Sequence, residues 1–362
     1  MKITFVVPTL NLSGGLRVVA VYAKLLTEKG HEVSVVSPNR RKATLKERLK
    51  SLIKWRGFVL KKSYDSTFFD SPLVNLVVLD KYRPVEANDI DDGDILIATF
   101  WNTAEWIADF PTSKGKKIYF IQHYETHPWL PVERVKATLK QPFKKIVVSQ
   151  WIADILAYEF GDNDVVVAPN GVDTQQFHSP KRDKQPIPTI GTIYSPRSFK
   201  GFDVALEAFN MAKKFIPNLK LVIFGSEQPS QTVILPQDTS YHLRPNQSEL
   251  SKHYGLCDAW LFSSRSEGYG LPILEAMACR TPVIGTRAGA APELINQTNG
   301  FLLEIDDVPA MANAIIAVAE MPNEQWLQLS QNAYEASLKH TWSEAFSCFE
   351  QALLQYANTP ER

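Results

Sequence analysis

The sequence is short of the features that mark several protein classes. It carries three cysteines in 362 residues, Cys257, Cys279 and Cys348, odd in number and widely spaced. That argues for a reducing compartment rather than a disulfide framework. There is no Cys-x-x-Cys and no His-Glu-x-x-His run, so a dedicated metal site is not expected. Lysine plus arginine (39) equal aspartate plus glutamate (39), so the chain lacks the basic excess of a nucleic-acid binder. No apolar run approaches the length of a transmembrane helix, and the apolar start around Ile3–Val7 is too short for a signal peptide. The expected location is the cytoplasm. Proline and glycine are not in excess and 44% of the residues are hydrophobic, so large cores can form. The length suits two domains better than one.

What is present is a repeated α/β pattern. Ile3 to Val7 is a continuous apolar run, the mark of a parallel strand buried on both faces. A loop with Gly14 and Gly15 follows, then apolar residues at helical spacing (Val18, Val19, Tyr22, Ala23, Leu25, Leu26), then Gly30 and a strand from His31 to Val36. This is a βαβ unit whose glycines sit at the carboxyl end of its first strand, where open α/β sheets bind ligands. It is not a Gly-x-Gly-x-x-Gly fingerprint, so no dinucleotide cofactor is expected. Further strands are predicted at 76–79, 95–99, 117–122 and 145–149. A second cycle begins near Ile187, with strands at 188–193, 221–225, 259–262, 282–285 and 300–303. The polar run Ser179–Pro186 between the cycles is rich in charge and proline, as linkers are. The expectation is two doubly wound parallel-sheet domains, 1–178 and 179–341, with a final helical segment, 342–362, crossing back to the first.

The most informative stretch runs from Ser263 to Ala278. Glu267 and Glu275 lie eight residues apart, with Gly268 and Gly270 between them and Pro272 just after. Ala259 to Phe262 reads as a buried strand, 268–270 as a loop, and Pro272 suits the first turn of a helix. Free N–H groups at that helix start favour an anion. A carboxylate beside a phosphate is a poor phosphate ligand, whereas it accepts hydroxyl groups well. Phosphate plus polyhydroxyl means a nucleotide sugar.

On these residues the chain resembles the retaining glycosyltransferases of family GT4, which have the GT-B fold, and the resemblance covers nearly the whole chain. It implies that Glu275 holds the ribose hydroxyls and that Glu267 lies beside the donor sugar. A deoxyribose offers only its 3′-hydroxyl to Glu275, which favours UDP or GDP donors over dTDP. Lys200 matches a family lysine that meets the donor diphosphate. The family's arginine directly after the strand glycine is absent, because Thr192 follows Gly191; Arg197, in the same loop as Lys200, is the candidate replacement. His123, at the end of a strand in the first domain, resembles a histidine that contacts the donor sugar. His127 is open to an acceptor role or a structural one, and Glu125 to a role as base. Gly14 and Gly15 match a loop that approaches the diphosphate and the acceptor. Gly225 and Ser226 end a strand that lines the nucleobase pocket, and Gly270 and Leu271 open the helix behind the diphosphate. No cofactor is implied beyond the nucleotide-sugar donor, and none of these positions implies a metal.

The segment Arg40 to Lys62 holds ten lysines and arginines against one glutamate, with Leu45, Leu49, Leu52 and Ile53 on one helical face and Trp55 after them. This reads either as a membrane-surface element or as a solvated lid packed on the domain. The first alternative points to a peripheral enzyme on the inner face of the plasma membrane acting on a lipid-linked glycan. The overall expectation is glycosyl transfer to a glycan, lipid-linked or small-molecule acceptor in cell-envelope polysaccharide synthesis. The alternatives are a GT-B sugar-nucleotide epimerase and a non-catalytic nucleotide-sugar-binding scaffold.

Overall fold

A computed structural model describes residues 1–11, 13–40, 68–69 and 71–359. The basic segment read between 40 and 62 lies, from residue 41 onward, outside the described residues. Among the described residues two parallel sheets form. The first has the order β3-β2-β1-β4-β5-β6-β7, from β1 (Lys2–Val6), β2 (Glu32–Ser37), β3 (Asn75–Val78), β4 (Ile95–Ala98), β5 (Lys116–Ile121), β6 (Lys144–Val147) and β7 (Val165–Val167). The second has the order β10-β9-β8-β11-β12-β13, from β8 (Thr189–Tyr194), β9 (Lys220–Gly225), β10 (Thr239–Leu243), β11 (Ala259–Phe262), β12 (Val283–Thr286) and β13 (Gly300–Leu303). Neighbouring strands pair in parallel, as in Ile3 opposite Val33 on one side and Ile95 on the other. The central strands are mostly apolar because helices cover both faces: Ile3, Phe5, Ile95, Leu96, Ile97, Ile190 and Ile284 are fully buried, and exceptions such as Thr4 and Thr192 are buried as well. These are two doubly wound α/β sheets of the GT-B type.

The chain divides into two compact units. One comprises Met1–Val147, Ala153–Val167 and Phe346–Arg362; the other comprises Val148–Ile152 and Ala168–Ala345. The changeover thus falls at Ala168 rather than after residue 178. The reason is local: Val172 forms a bridge with Thr341, the Val172 N–H donates to the His340 carbonyl at 2.8 Å, and the buried Phe177 meets Tyr254 edge-on at 6.1 Å. The polar run 179–186 is docked on the second unit. Arg182 stacks over Trp326 at 4.6 Å, and Lys184 donates to the carbonyl of Met321 at 2.9 Å. The fully buried Asp258 accepts from the backbone N–H of Gln185 and Thr189 at 2.8 and 2.9 Å; burial raises its pKa, and those two bonds oppose the rise.

The final helix, Trp342–Asn358, carries apolar residues at helical spacing, and from Phe346 on it belongs to the first unit. Its Phe349 is fully buried, stacked on Tyr22 at 4.2 Å and against Phe120 at 5.0 Å. Burying such a ring contributes about 2–3 kcal/mol. His31 meets Glu350 at 3.0 Å, and Lys116 donates to the last carbonyls of the helix, Tyr356 and Ala357, at 3.1 and 2.6 Å. A cation there also complements the negative end of the helix dipole. Among the described residues no helix is long and apolar enough to cross a membrane.

Candidate active site

Both sheets have a topological switch point, where neighbouring strands send their connections in opposite directions and leave a crevice at the carboxyl ends. In the second unit it lies between β8 and β11. The loop after β8 makes a short turn, Ser198–Lys200, and the loop after β11 carries Glu267. The switch point brings the two together: Lys200 Nζ donates to Glu267 Oε1 at 2.6 Å. Ser264 Oγ donates to the same oxygen at 2.8 Å. Glu267 is only 8% exposed, so its carboxylate is held by one cation and one hydroxyl in a largely desolvated position.

Glu275 sits in the helix Leu271–Ala278, which opens at Gly270 and has proline in its first turn. It is 5% exposed, and its Oε2 accepts from the Tyr254 hydroxyl at 2.8 Å. Gly270 has φ +107°, and a Cβ there would press on the Phe262 ring at 2.9 Å. Gly289, at φ +60°, backs onto the same loop: its Cβ would meet Glu267 Cβ at 2.8 Å and the Tyr269 carbonyl at 2.7 Å. Gly268 is fixed through its carbonyl, which accepts from Ser149 Oγ at 2.8 Å and Trp151 Nε1 at 2.9 Å, both in stretches that group with the second unit. The glycines let backbone and carboxylates approach closely, and the surrounding hydrogen bonds fix the geometry.

Lys200 is positioned from behind by Arg265. Its guanidinium forks onto Asp203 at 3.0 and 2.7 Å, donates to Asp306 at 2.6 Å, and reaches the Ser198 carbonyl at 2.6 Å. The Arg265 N–H also donates to the Phe199 carbonyl at 2.8 Å. Hydrogen bonding to Arg265 lowers the Asp203 pKa against an opposing burial effect. Gly201, immediately after Lys200, has φ +63°, and a Cβ there would collide with the Ser263 carbonyl oxygen. Sequence reading did not single out Arg265, Ser264, Tyr254 or Gly289. The signal available for Ser264 was its place three residues before Glu267; the others depend on contacts distant in sequence.

The remaining predicted positions in this unit fall as follows. Thr192 is buried, and its hydroxyl donates to the Leu261 carbonyl at 3.3 Å, so this position stitches β8 to β11. Arg197 is exposed; its carbonyl accepts from the Lys200 N–H at 3.0 Å, and its guanidinium has no protein partner among the described residues. Gly225 ends β9, where a Cβ would meet the Tyr241 hydroxyl at 2.7 Å. Arg244, at φ +50°, joins the ends of β9 and β10 by donating to the carbonyls of Gly225 (N–H, 2.8 Å) and Ser226 (Nε, 2.7 Å). Leu271 is half-buried at the helix start.

In the first unit the switch point lies between β1 and β4. Gly14 and Gly15 begin the helix Gly14–Glu28, whose N-cap Ser13 makes no side-chain cap bond. The Gln122 side chain lies over Gly15, 3.4 Å from where a Cβ would stand. His123 Nδ1 contacts the Tyr124 carbonyl at 3.0 Å, and its ring lies 4.9 Å from that of His127. Glu125 accepts from the Trp101 N–H at 3.1 Å. The residue as a whole is half-buried, but its carboxyl group is deep enough that burial pushes its pKa well above the usual range, against that one bond. Among the described residues no three His, Cys, Asp or Glu side chains gather as a metal-ligand set.

A buried carboxylate pair, a lysine and a helix start at the switch point of an α/β sheet define a class of site suited to a phosphorylated, hydroxyl-rich ligand. Comparison with known proteins gives the family. The model described as Glycosyltransferase Family 4 matches residues 12–176, and the one described as Glycosyl transferases group 1 matches residues 173–336. The chain belongs to the GT4 glycosyltransferases. Among its relatives, N-acetyl-alpha-D-glucosaminyl L-malate synthase of Bacillus anthracis is 34% identical over 104 residues, 27% of each chain. The chain spans about half, or less, of the curated relatives it matches. Its fold is that of sucrose-phosphate synthase from Thermosynechococcus elongatus (TM-score 0.75, 17% identity, 98% of both chains). It is also that of the Anabaena protein HepE, solved with UDP-glucose (TM-score 0.72, 16% identity, 99% of this chain and all of that one).

Proposed function

We propose that this chain is a retaining glycosyltransferase that uses a nucleotide-sugar donor, a UDP-hexose in the first instance, and a glycan, lipid-linked or small-molecule acceptor. The observation that carries the proposal is the 2.6 Å contact between Lys200 and Glu267 beside the helix that buries Glu275. Lys200 and the N–H groups after Gly270 supply positive charge for a diphosphate. Glu275 accepts the ribose 2′,3′-diol with its carboxylate, and Glu267 accepts sugar hydroxyls. Gly225, Ser226 and Arg244 shape the nucleobase end. The binding of UDP-glucose by HepE, which shares the fold, supports UDP over the other nucleotides.

In the reaction the anomeric carbon–oxygen bond to the diphosphate breaks while the acceptor oxygen bonds to the same face. The acceptor proton passes to the leaving phosphate oxygen, so no enzyme nucleophile is needed and configuration is retained. The rate comes from position and fixed charge: Lys200 stabilises the negative charge that develops on the leaving group. We expect these groups to suffice without a metal ion, so that EDTA leaves turnover unchanged. His123, Gly14 and Gly15 in the first unit are assigned to the sugar and acceptor end of the reaction.

The test is binding of UDP-, GDP-, ADP- and dTDP-sugars followed by melting temperature. A ligand that binds only the folded state raises stability by about 2.7 kcal/mol at 100 times its Kd. One nucleotide class should shift the wild type and not the Lys200→Ala/Glu275→Ala double variant. A shift that survives in the double variant would place the nucleotide elsewhere and defeat the proposal. Proton NMR of the product's anomeric signal then decides retention.

A further inference from the structure

The second unit holds a pair of histidines that the donor chemistry does not use. His242 lies on β10 and His253 on the helix Leu250–Gly255, and their ring centroids are 4.0 Å apart with the planes inclined at 36°. His253 is 7% exposed, and its Nδ1 is buried with no hydrogen-bond partner. From β10 it faces His242, which is half-buried, and from β9 the apolar Phe224 at 6.2 Å. Its own helix and the turn before it contribute Lys252 and Glu249, both exposed, and the Glu249 carboxylate already accepts from the Asn246 N–H at 3.0 Å. The helix Leu271–Ala278 contributes Glu275, which bonds to Tyr254, the next residue after His253. Burial lowers the His253 pKa; the neighbouring His242 and Lys252 act in the same direction, and Glu249 opposes them.

We propose that the His242–His253 pair is a proton-operated latch at the nucleotide end of this unit: neutral, it lets the helix Leu250–Gly255 pack on β10; protonated, it drives the two apart and weakens nucleotide binding. Two neutral imidazoles pack as flat rings. A proton on either one puts a charge against a desolvated neighbour. On His253 it also turns both ring nitrogens into N–H donors, and the one at Nδ1 has no acceptor. The effect reaches the ligand by two routes. The Tyr254 ring packs on Trp260 at 4.4 Å and on Phe224 at 5.5 Å, and its hydroxyl donates to Glu275 Oε2 at 2.8 Å. Arg244, two residues beyond His242, ties the end of β10 to the carbonyls of Gly225 and Ser226. A shift of the helix from the strand therefore moves the carboxylate assigned to the ribose and the loop assigned to the nucleobase. Because the folded pKa of His253 lies below the ordinary histidine value, the native unit binds fewer protons than the unfolded chain. The stability tied to the neutral pair is present above that ordinary value and is lost as pH falls toward the folded one. By linkage, nucleotide binding to the packed form disfavours the proton by the same factor. The inference rests on the second unit holding the nucleotide as proposed above.

The experiment measures the affinity for UDP-, GDP-, ADP- and dTDP-sugars by calorimetry at pH 7.5 and pH 5.5. These ligands keep both phosphate charges across that range, so they do not titrate themselves. Wild type should bind its nucleotide sugar about fivefold or more weakly at pH 5.5. His253→Leu should bind within about threefold of wild type at pH 7.5 and lose the pH response. His242→Phe removes the like-charged neighbour and leaves the burial, so its response should be smaller than that of wild type. Melting curves check that both variants fold; should His253→Leu fail to, a His242→Phe response as large as that of wild type overturns the latch. Hydrogen exchange in the free protein, corrected for intrinsic rates, should show the amides of 239–243 and 250–255 losing protection at pH 5.5 in wild type and not in His253→Leu. Equal affinity of wild type at the two pH values overturns the inference, as does exchange that changes with pH only outside those segments. A pH response that persists undiminished in His253→Leu sinks the latch alone and leaves the donor reading standing. If no nucleotide sugar binds at either pH, the donor reading fails and the latch falls with it.

Discussion

The two switch points occupy the same place in two similar sheets and have opposite chemistry. In the second unit the crevice is ionic. Lys200, Glu267 and Ser264 form a bonded cluster, Glu275 is buried against Tyr254, and Arg265 clamps the turn that holds the lysine. In the first unit the corresponding edge carries, among the described residues, the rings of His123, His127 and Trp129 with Gln122, and the carboxyl group of Glu125 beside them is pushed by burial toward the protonated form. One scaffold thus offers fixed charge at one edge and ring faces with hydrogen-bonding atoms at the other. Fixed charge suits a diphosphate that gains negative charge as it leaves; rings and neutral polar atoms suit a polyol whose charge does not change.

The sharpest way to break this contrast is to remove the charge. Lys200→Ala and Glu267→Ala should each lower kcat by about 1,000-fold, the range seen when one stabilising group is removed from a desolvated site. Arg197→Ala should cost less than about tenfold, since its guanidinium is exposed and has no protein partner among the described residues. Steady-state transfer assays check all three, and an Arg197→Ala loss equal to that of Lys200→Ala would mean that the exposed arginine moves onto the diphosphate. The next effect is on stability. Gly201→Ala adds a left-handed-region penalty to a collision with the Ser263 carbonyl, together roughly 3 kcal/mol. Urea denaturation should show that loss, with nucleotide affinity falling alongside because the turn bearing Lys200 must shift.

Arg265→Lys sharpens the contrast further. Lysine keeps the charge but cannot fork onto Asp203 while reaching Asp306 and the Ser198 carbonyl. The expected result is about a tenfold drop in kcat with little change in nucleotide Kd, because Lys200 is loosened and not removed. Equal kcat in the variant would show that the Gly201 turn alone positions the lysine.

These sites differ in how far the sequence disclosed them. The strands were legible because a strand buried on both faces must be apolar along most of its length, as at Ile3–Val7, where Thr4 is the one polar residue, and Ala259–Phe262. The carboxylate pair was legible because loop, proline and helix fix Glu267 and Glu275 within one short segment. The Arg265 clamp was not, because Asp203 and Asp306 lie 62 and 41 residues away and nothing local marks them as partners. The same holds for Tyr254 and Glu275, 21 residues apart. The docked run 179–186 looked like a linker because polar composition alone does not show that Asp258 and Trp326 receive it. The stack of His127 on Trp129 needed coordinates, since two rings two residues apart face each other only in a particular loop conformation.

The smallest expected effect concerns Glu125. Its folded pKa is raised, so the native state holds a proton that the unfolded chain releases at lower pH. The native state therefore binds more protons, and stability falls as pH rises from the unfolded carboxylate pKa toward the folded one, then levels off. Below the unfolded value there is no penalty. Glu125→Gln removes the titration while keeping an oxygen to accept from the Trp101 N–H. The variant should melt about 2 °C higher than wild type at neutral pH, and the gain should vanish near pH 4. Melting curves across that range decide the matter. A gain that is constant with pH would mean that packing, not charge burial, sets the difference. A loss at neutral pH would mean that Glu125 is ionised there, and this edge of the first unit would then carry its charge.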